Sequence, residues 1–199
     1  MEIYQPSDDS YLLAEEVKKH LILILNKDKN KYKDIFQKFK ILDMGSGSGI
    51  QAETCKRLEF NNIICADITP EAVKHLKNQG FKTVKTNLFS DINPKTKFDL
   101  IIFNPPYLPE DKREPEDSKL NTTAGKEGYE IIIKFLKQAK GYLNSDGKIL
   151  LLFSSLSKPR IIKQEAKKMG YKFNELDKIS LFFEKLFVYE FSSVCLYDL

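Results

Sequence analysis

Apolar residues follow two different spacings along this chain. Short continuous apolar runs are typical of buried strands, whereas apolar residues every three or four positions indicate helices. The runs that predict strands cover residues 40–44, 62–67, 82–87, 98–104 and 148–154. The helical spacing begins near Ser10 and recurs over residues 50–58, 129–143 and 161–169. Another helix is predicted where Thr69 can cap and Pro70 suits the first turn.

The end of the chain departs from this alternation. Residues 171–179 and 184–192 both have strand-like patterns, and the short break between them predicts an antiparallel hairpin. Strands that alternate with helices predict a mostly parallel sheet covered by helices on both faces. We therefore expect a Rossmann-like α/β sheet of seven strands. The length suits one domain over residues 1–199, with an N-terminal helix and connection (1–40) before the core (41–199).

Charge and hydropathy narrow the functional classes. The net charge of +4 arises from 32 basic and 28 acidic residues, which is too mild to indicate specific nucleic-acid binding. The longest aliphatic run, residues 21–25, is far shorter than a membrane span. Residues 1–4 contain neither a basic opening nor an apolar stretch, so a cytoplasmic location is expected.

Histidine and cysteine are sparse. His20 and His75 have no second ligand type at metal-binding spacing, so no metal is predicted. Cys55, Cys65 and Cys195 show no pairing of the kind found in metal knuckles or disulfide frameworks. The three cysteines are expected to be small core residues.

A glycine-rich turn follows the first predicted strand. Residues 45–49 read Gly-Ser-Gly-Ser-Gly, and glycines in such a turn let the backbone approach a ligand at the start of the next helix. A dinucleotide-binding fold produces a similar turn, so the turn alone is a weak signal. Asp67 strengthens it, because it ends the second strand, where a carboxylate can accept hydrogen bonds from both ribose hydroxyls.

Asp43 distinguishes between the two candidate cofactors. A dinucleotide needs the helix dipole and close glycine contact for its phosphates, whereas the turn here is preceded by Asp43, a carboxylate. A carboxylate is matched to the free amine of S-adenosylmethionine. The sequence therefore favours this cofactor, with S-adenosylhomocysteine as the product.

Asn104-Pro105-Pro106-Tyr107 directly follows the most apolar strand. This position is the carboxyl edge of a parallel sheet, where open α/β folds bind ligands. A planar amide or aromatic amine attacks a sulfonium methyl only when it is held close and in line. The side-chain oxygen of Asn104 and the carbonyl of Pro105 can each accept one of its N–H groups, and Tyr107 can cover its flat face. Glutamine and adenine both fit this description.

The residues just described resemble known families. Residues 42–49 resemble the first motif of class I methyltransferases, and Asn87-Leu88 resembles the place where that family holds adenine. Along nearly its whole length, from residues 4–13 to residues 183–188, the chain is similar to the HemK-like glutamine methyltransferases. The similarity is greatest to the short archaeal and eukaryotic branch, whose loop before a helix also resembles residues 123–130.

This resemblance implies a substrate, a partner and a site. The implied substrate is the glutamine of the Gly-Gly-Gln loop in a class I release factor. The implied partner is a small zinc-binding activator subunit that forms a heterodimer at a sheet edge, for which residues 82–87 are the candidate. The implied cofactor contacts are Ser10, Asp43, Gly45, Gly47, Asp67, Asn87, Leu88 and Asn104. Asn104, Pro105, Pro106 and Tyr107 are the implied catalytic and substrate-binding residues. Asn87 stands where an acid is common, and Ser10 replaces a usual threonine.

Three alternatives remain. An adenine or other base N-methyltransferase acting on DNA or RNA shares the Asn104 motif, but it usually grips the duplex with extra basic surface. Only residues 108–126 have room for that role, and this segment is acidic through Glu110, Asp111, Glu114, Glu116 and Asp117. A lysine methyltransferase needs a base for its ammonium substrate. An idle cofactor-binding subunit has no need of the intact Asn104 motif.

Overall fold

Seven strands form one sheet in the computed structural model, which describes residues 5–27, 36–110 and 122–194. The strands are β1 (Ile41–Met44), β2 (Ile63–Asp67), β3 (Lys82–Lys85), β4 (Phe98–Phe103), β5 (Leu143–Ser154), β6 (Tyr171–Ser180) and β7 (Lys185–Ser193). Their order is β3-β2-β1-β4-β5-β7-β6. Strands β1 to β5 pair in parallel, and β7 pairs antiparallel with both β5 and β6. The predicted mixed sheet and C-terminal hairpin are confirmed.

Helices cover both faces of this sheet. They are α1 (Asp8–Lys27), α2 (Ile50–Arg57), α3 (Pro70–Asn78), α4 (Glu130–Ala139) and α5 (Pro159–Lys168). Along β4, successive side chains alternate between two apolar clusters, as the pleat of a strand requires. Leu100 and Ile102 join a cluster with α1, α2 and α3, whereas Ile101 and Phe103 join one with α4 and α5. Burial on both faces explains why this strand is apolar throughout.

Two predicted boundaries were wrong near β5. The helix predicted over 129–143 ends at Ala139, and a 3₁₀ turn over Lys140–Tyr142 leads into β5 at Leu143 rather than at Lys148. Leu143 already pairs with Phe98, while the next pair joins Lys148 to Leu100, so residues 144–147 loop out of the register. These four residues are Asn-Ser-Asp-Gly, a composition typical of turns. For this reason the sequence pattern did not indicate that the strand begins at Leu143.

The third strand is also shorter than predicted. β3 ends at Lys85 instead of residue 87, because Leu88 has a φ of 55° and turns the chain away from the sheet. Thr86 still donates its backbone N–H to the Asp67 carbonyl at 2.8 Å. Asn87 and Leu88 therefore lie in the loop at the end of β3, beside the cavity described below.

Cys55 and Cys65 are buried in the core, as predicted, and burial raises the pKa of both thiols. Cys195 lies outside the described residues. Among the residues that the structure describes, no helix is long and apolar enough to cross a membrane, and no group of three potential metal ligands occurs. The Nδ1 atom of His20 lies 3.3 Å from the carboxylate oxygen Oε2 of Glu190.

Candidate active site

One cavity lies at the carboxyl ends of the central parallel strands. It contacts the N-terminal turn of α1, the glycine-rich turn after β1, the end of β2, the loop after β3 and the segment after β4. Every residue that the sequence implicated lies in its wall. These residues are Ser10, Asp43, Gly45, Gly47, Asp67, Asn87, Leu88, Asn104, Pro105, Pro106 and Tyr107. The cavity therefore brings the predicted cofactor and substrate positions into one continuous space.

The glycine-rich turn owes its shape to Gly49. This residue precedes α2 with a φ of +86°, in the left-handed region that L side chains rarely adopt. A Cβ atom at this position would lie 2.7 Å from the Leu76 side chain of α3. Glycine thus lets the turn fold tightly over α3 and aims the start of α2 at the cavity.

Asp67 holds two walls of the cavity together. Its Oδ2 accepts the backbone N–H of Gly47 at 2.9 Å, and its Oδ1 accepts the N–H and hydroxyl of Thr69 at 2.8 and 2.9 Å. Thr69 is the N-cap residue of α3 and Pro70 opens the helix, as predicted, but the Thr69 hydroxyl binds Asp67 instead of capping the helix. Oδ1 therefore already accepts two hydrogen bonds, whereas Oδ2 keeps a further lone pair for a ligand hydroxyl.

Asp43 is a buried carboxylate at the end of β1. It is 1% exposed, and its Oδ2 accepts the backbone N–H of Ala52 at 3.2 Å. Burial raises the pKa of Asp43 to about 7, an effect to which the nearby charge of Asp67 adds and which the Ala52 hydrogen bond opposes. A cation placed beside Asp43 would favour its ionised form. The residue thus fits the ammonium group that the sequence predicted here.

The loop after β3 packs on aromatic rings of the core. Phe89 stacks on Phe135 and Tyr142, with ring centroids 5.7 and 4.5 Å apart. Leu88 itself is buried, and its carbonyl accepts the Thr86 hydroxyl at 3.0 Å. This support maintains the unusual backbone of Leu88, so that Leu88 presents an apolar surface to the cavity.

Only the nitrogen of the Asn104 side-chain amide has a hydrogen-bond partner among the described residues. Its Nδ2 donates to Asp9 Oδ2 at 3.0 Å, whereas its buried Oδ1 has no partner among the described residues. The Tyr107 hydroxyl lies 3.5 Å from the same Asp9 oxygen. Burying an acceptor without a partner is costly in a folded protein, so this atom is a candidate contact for a ligand donor. Asn104 thus offers a hydrogen-bond acceptor to whatever occupies the cavity.

The backbone of the Asn-Pro-Pro-Tyr segment is fixed from three directions. The Ser157 hydroxyl donates to the Tyr107 carbonyl at 2.8 Å. Leu108 donates to Thr122 and accepts from Ala124, at 2.8 and 2.9 Å. Gly128 packs so closely that a Cβ atom there would lie 3.0 Å from the Tyr107 carbonyl. Together with the two prolines, these contacts restrict the segment before any substrate arrives.

Asp9 and Gln51 are among the residues of the cavity wall that the sequence analysis did not name. Asp9 lies in the first turn of α1, next to Ser10, and Gln51 lies in the first turn of α2. Gln51 Nε2 donates to the Ser10 carbonyl at 2.9 Å, and its buried Oε1 has no partner among the described residues. Of the predicted acidic segment, Glu110 is described and exposed, whereas Asp111, Glu114, Glu116 and Asp117 lie outside the described residues.

Comparison with known proteins relates this chain to methyltransferases. A family model described as Eco57I restriction-modification methylase matches residues 14–158. A Methanocaldococcus jannaschii protein, provisionally assigned as a protein N5-glutamine methyltransferase, is 35% identical over 94% of this chain and 90% of its own length. The eRF1 methyltransferase catalytic subunit mtq2 of Schizosaccharomyces pombe is 26% identical over 87% of this chain and 82% of its own.

The solved structures confirm the fold. The E. cuniculi Mtq2–Trm112 complex, responsible for methylation of the eRF1 translation termination factor, contains a chain that superimposes with a TM-score of 0.72. The superposition covers 98% of this chain and 100% of that chain at 21% sequence identity. The seven-stranded arrangement is therefore that of a class I methyltransferase.

Proposed function

Because the chain belongs to the protein N5-glutamine methyltransferase family, we propose that it transfers a methyl group from S-adenosylmethionine to the side-chain nitrogen of a glutamine. The observation that carries this proposal is the orphaned Oδ1 of Asn104 in the wall of the cavity. A primary amide supplies N–H donors to such an acceptor. It also carries no charge, so it needs no base of the kind that a lysine ammonium requires.

We assign the cofactor contacts to groups in the cavity wall that still have hydrogen-bonding capacity or present apolar surface. Asp43 is the carboxylate suited to the ammonium of the methionine part, and Asp67 is placed for the ribose hydroxyls. Leu88 and Asn87 flank the adenine position, and Ser10, Gly45 and Gly47 complete the wall. S-adenosylmethionine supplies an electrophilic sulfonium methyl group.

The protein's own contribution to the reaction is positioning. Asn104 Oδ1 and the Pro105 carbonyl accept the two amide N–H groups, and Tyr107 covers the amide plane. This arrangement turns the nitrogen toward the methyl group, and the rigid backbone of the segment lowers the entropic cost of that alignment. With the cofactor bound, the amide nitrogen would take the methyl group, S-adenosylhomocysteine would leave, and the nitrogen would release one proton to water.

We assign the acceptor to the Gly-Gly-Gln loop of a class I release factor. The support comes from the S. pombe and E. cuniculi relatives, whose names associate them with methylation of eRF1. With a translation factor as the proposed substrate, we expect the reaction to take place in the cytoplasm. Within the described residues, β3 is an outer strand of the sheet, with Lys82 and Lys85 exposed. We propose that a small zinc-binding activator subunit adds to this edge.

Methylation of adenine is the second candidate. It is favoured by the Eco57I description of the family model, whose match includes both the glycine-rich turn and the Asn-Pro-Pro-Tyr segment. Adenine presents a planar amine to Asn104 much as glutamine does. A base-directed enzyme must also extrude its target and hold the flanking strand, usually with basic surface.

The decisive experiment follows labelled methyl groups. The chain, co-expressed with the small activator, is incubated with labelled S-adenosylmethionine and the cognate release factor, either intact or with its Gly-Gly-Gln glutamine replaced. Label that depends on the glutamine supports the proposal. Label on DNA or RNA from the same cells, with none on the factor, would establish the second candidate instead. Asn104→Ala is the control for transfer that needs this site.

A further inference from the structure

Asp9 lies at the meeting point of α1 and the Asn-Pro-Pro-Tyr segment. Its side chain is almost fully buried, at 4% exposure, in the cavity wall. Its Oδ1 accepts the backbone N–H and the hydroxyl of Ser10, at 2.6 and 3.1 Å. Its Oδ2 faces Asn104 Nδ2 and the Tyr107 hydroxyl. A carboxylate is thus held by its own helix and directed at two residues of the proposed substrate site.

The amide of Asn104 can be rotated by half a turn with little change of shape, but the two orientations differ chemically. In one, its oxygen is offered to the cavity. In the other, its NH₂ group would face the cavity and repel the N–H groups of an incoming amide. Asp9 Oδ2 accepts from the NH₂ group of Asn104, and in the reversed orientation it would face the amide oxygen, which is another acceptor.

We propose that Asp9 is a positioning residue that fixes the Asn104 amide with its oxygen toward the methyl acceptor. This proposal rests on the proposed function, because it explains how the acceptor oxygen is oriented. Asp9 reaches the substrate through Asn104, and the same carboxylate oxygen restrains the Tyr107 ring that covers the substrate plane.

The surroundings of Asp9 fit this role. Gln51 Nε2 holds the Ser10 carbonyl, so the N-terminal turn of α1 is fixed to α2 as well as to the Asn104 segment. Asp8, one residue earlier, shares the acidic first turn of α1 but is exposed. Favourable interaction with the helix N-terminus is available to both acids, whereas the contact with Asn104 belongs to Asp9.

The test compares Asp9→Asn with Asp8→Asn in the complex with the activator. Asp9→Asn keeps the size of the side chain but supplies an NH₂ group that can also pair with the reversed Asn104 amide. We expect kcat to fall by about 10- to 100-fold, with the Kd for S-adenosylmethionine changed by less than about threefold. Asp8→Asn should keep both quantities near wild type. A normal kcat in Asp9→Asn, or a parallel loss of cofactor binding, would overturn the proposal.

A double variant separates orientation from general support of the fold. In Asn104→Asp alone, two carboxylates face each other, and activity should be very low. Adding Asp9→Asn restores a donor–acceptor pair with its direction reversed and leaves one oxygen facing the substrate. We expect the double variant to exceed Asn104→Asp by about tenfold in kcat. Additive losses in the two variants would mean that Asp9 does not orient Asn104.

A failure of the proposed function would give a different result from a failure of the role proposed for Asp9. If the wild-type complex labels nucleic acid and leaves glutamine unlabelled, the assigned substrate is wrong. The same variants, measured on the labelled acceptor, then decide the role of Asp9 by the same criteria.

Discussion

Replacing Asp43 by asparagine should raise the stability of the ligand-free protein, relative to wild type, more at pH 8 than at pH 5, and it should weaken cofactor binding. Asp43 is 1% exposed, and burial raises its pKa from an ordinary value of 3.8 to about 7. At a pH between these two pKa values, the folded protein binds more protons than the unfolded chain. The free energy of unfolding therefore falls as pH rises from about 4 to about 7, and above pH 7 the loss is complete.

The size of the loss follows from the two pKa values. The gap between 3.8 and about 7 corresponds to about 4 kcal/mol above neutral pH. Asparagine has nearly the same shape and can still accept the Ala52 N–H, but it does not ionise. The stability of Asp43→Asn relative to wild type should thus increase by about 2 to 3 kcal/mol between pH 5 and pH 8. Any cost of burying the new NH₂ group is independent of pH and cancels in this comparison.

Urea denaturation of both proteins at pH 5, 6, 7 and 8 measures this increase, and calorimetric titration measures the affinity for S-adenosylmethionine. The affinity should fall by about 100-fold in Asp43→Asn, because the ammonium loses a buried counter-charge. In the wild type it should also weaken as pH falls from 8 to 6, when Asp43 takes up a proton. A stability difference that does not change with pH would refute the assignment of the raised pKa to Asp43.

Three further substitutions test the remaining walls of the cavity. Asn104→Ala should lower kcat by about 100-fold or more while the cofactor Kd from calorimetry stays within about threefold, and equal losses of both would contradict a positioning role. Asp67→Ala should raise the cofactor Kd by about 10- to 100-fold, because hydrogen bonds to a charged acceptor are lost. Thr69→Val, which removes the hydroxyl that donates to Asp67 and keeps the carboxylate, is the matched control and should bind normally. Gln51→Met should weaken cofactor binding by about tenfold if its orphaned Oε1 accepts from the ammonium, and an unchanged Kd would exclude that contact.

The parts of the site predicted from sequence were those encoded locally. A strand followed at once by Gly-x-Gly-x-Gly, or by Asn-Pro-Pro-Tyr, places its polar residues at the carboxyl edge whatever the rest of the chain does. Asp43 and Asn104 were predicted on that basis and Asp67 because it ends the second predicted strand, and all three lie in the cavity wall. Their functional roles remain predictions.

The missed features depend on contacts between distant parts of the chain. Asp9 and Asn104 are 95 positions apart, and Gln51 and the Ser10 carbonyl are 41 apart, so no local pattern indicates either contact. The early start of β5 depends on pairing between Leu143 and Phe98 across the sheet. Tertiary pairing of this kind overrides local turn propensity, which explains why residues 144–147 concealed the start of the strand.

The 95-residue separation between Asp9 and Asn104 has a consequence for the order of folding. Contacts this distant in sequence carry a large loop-closure cost and tend to form after local structure. The sheet can pair β1, β2 and β4 before α1 docks, and such an intermediate would have its glycine-rich turn but a freely rotating Asn104 amide. We therefore expect methyl transfer to return later than secondary structure when the denatured protein is refolded. Catalytic activity would then report the final docking step of the chain.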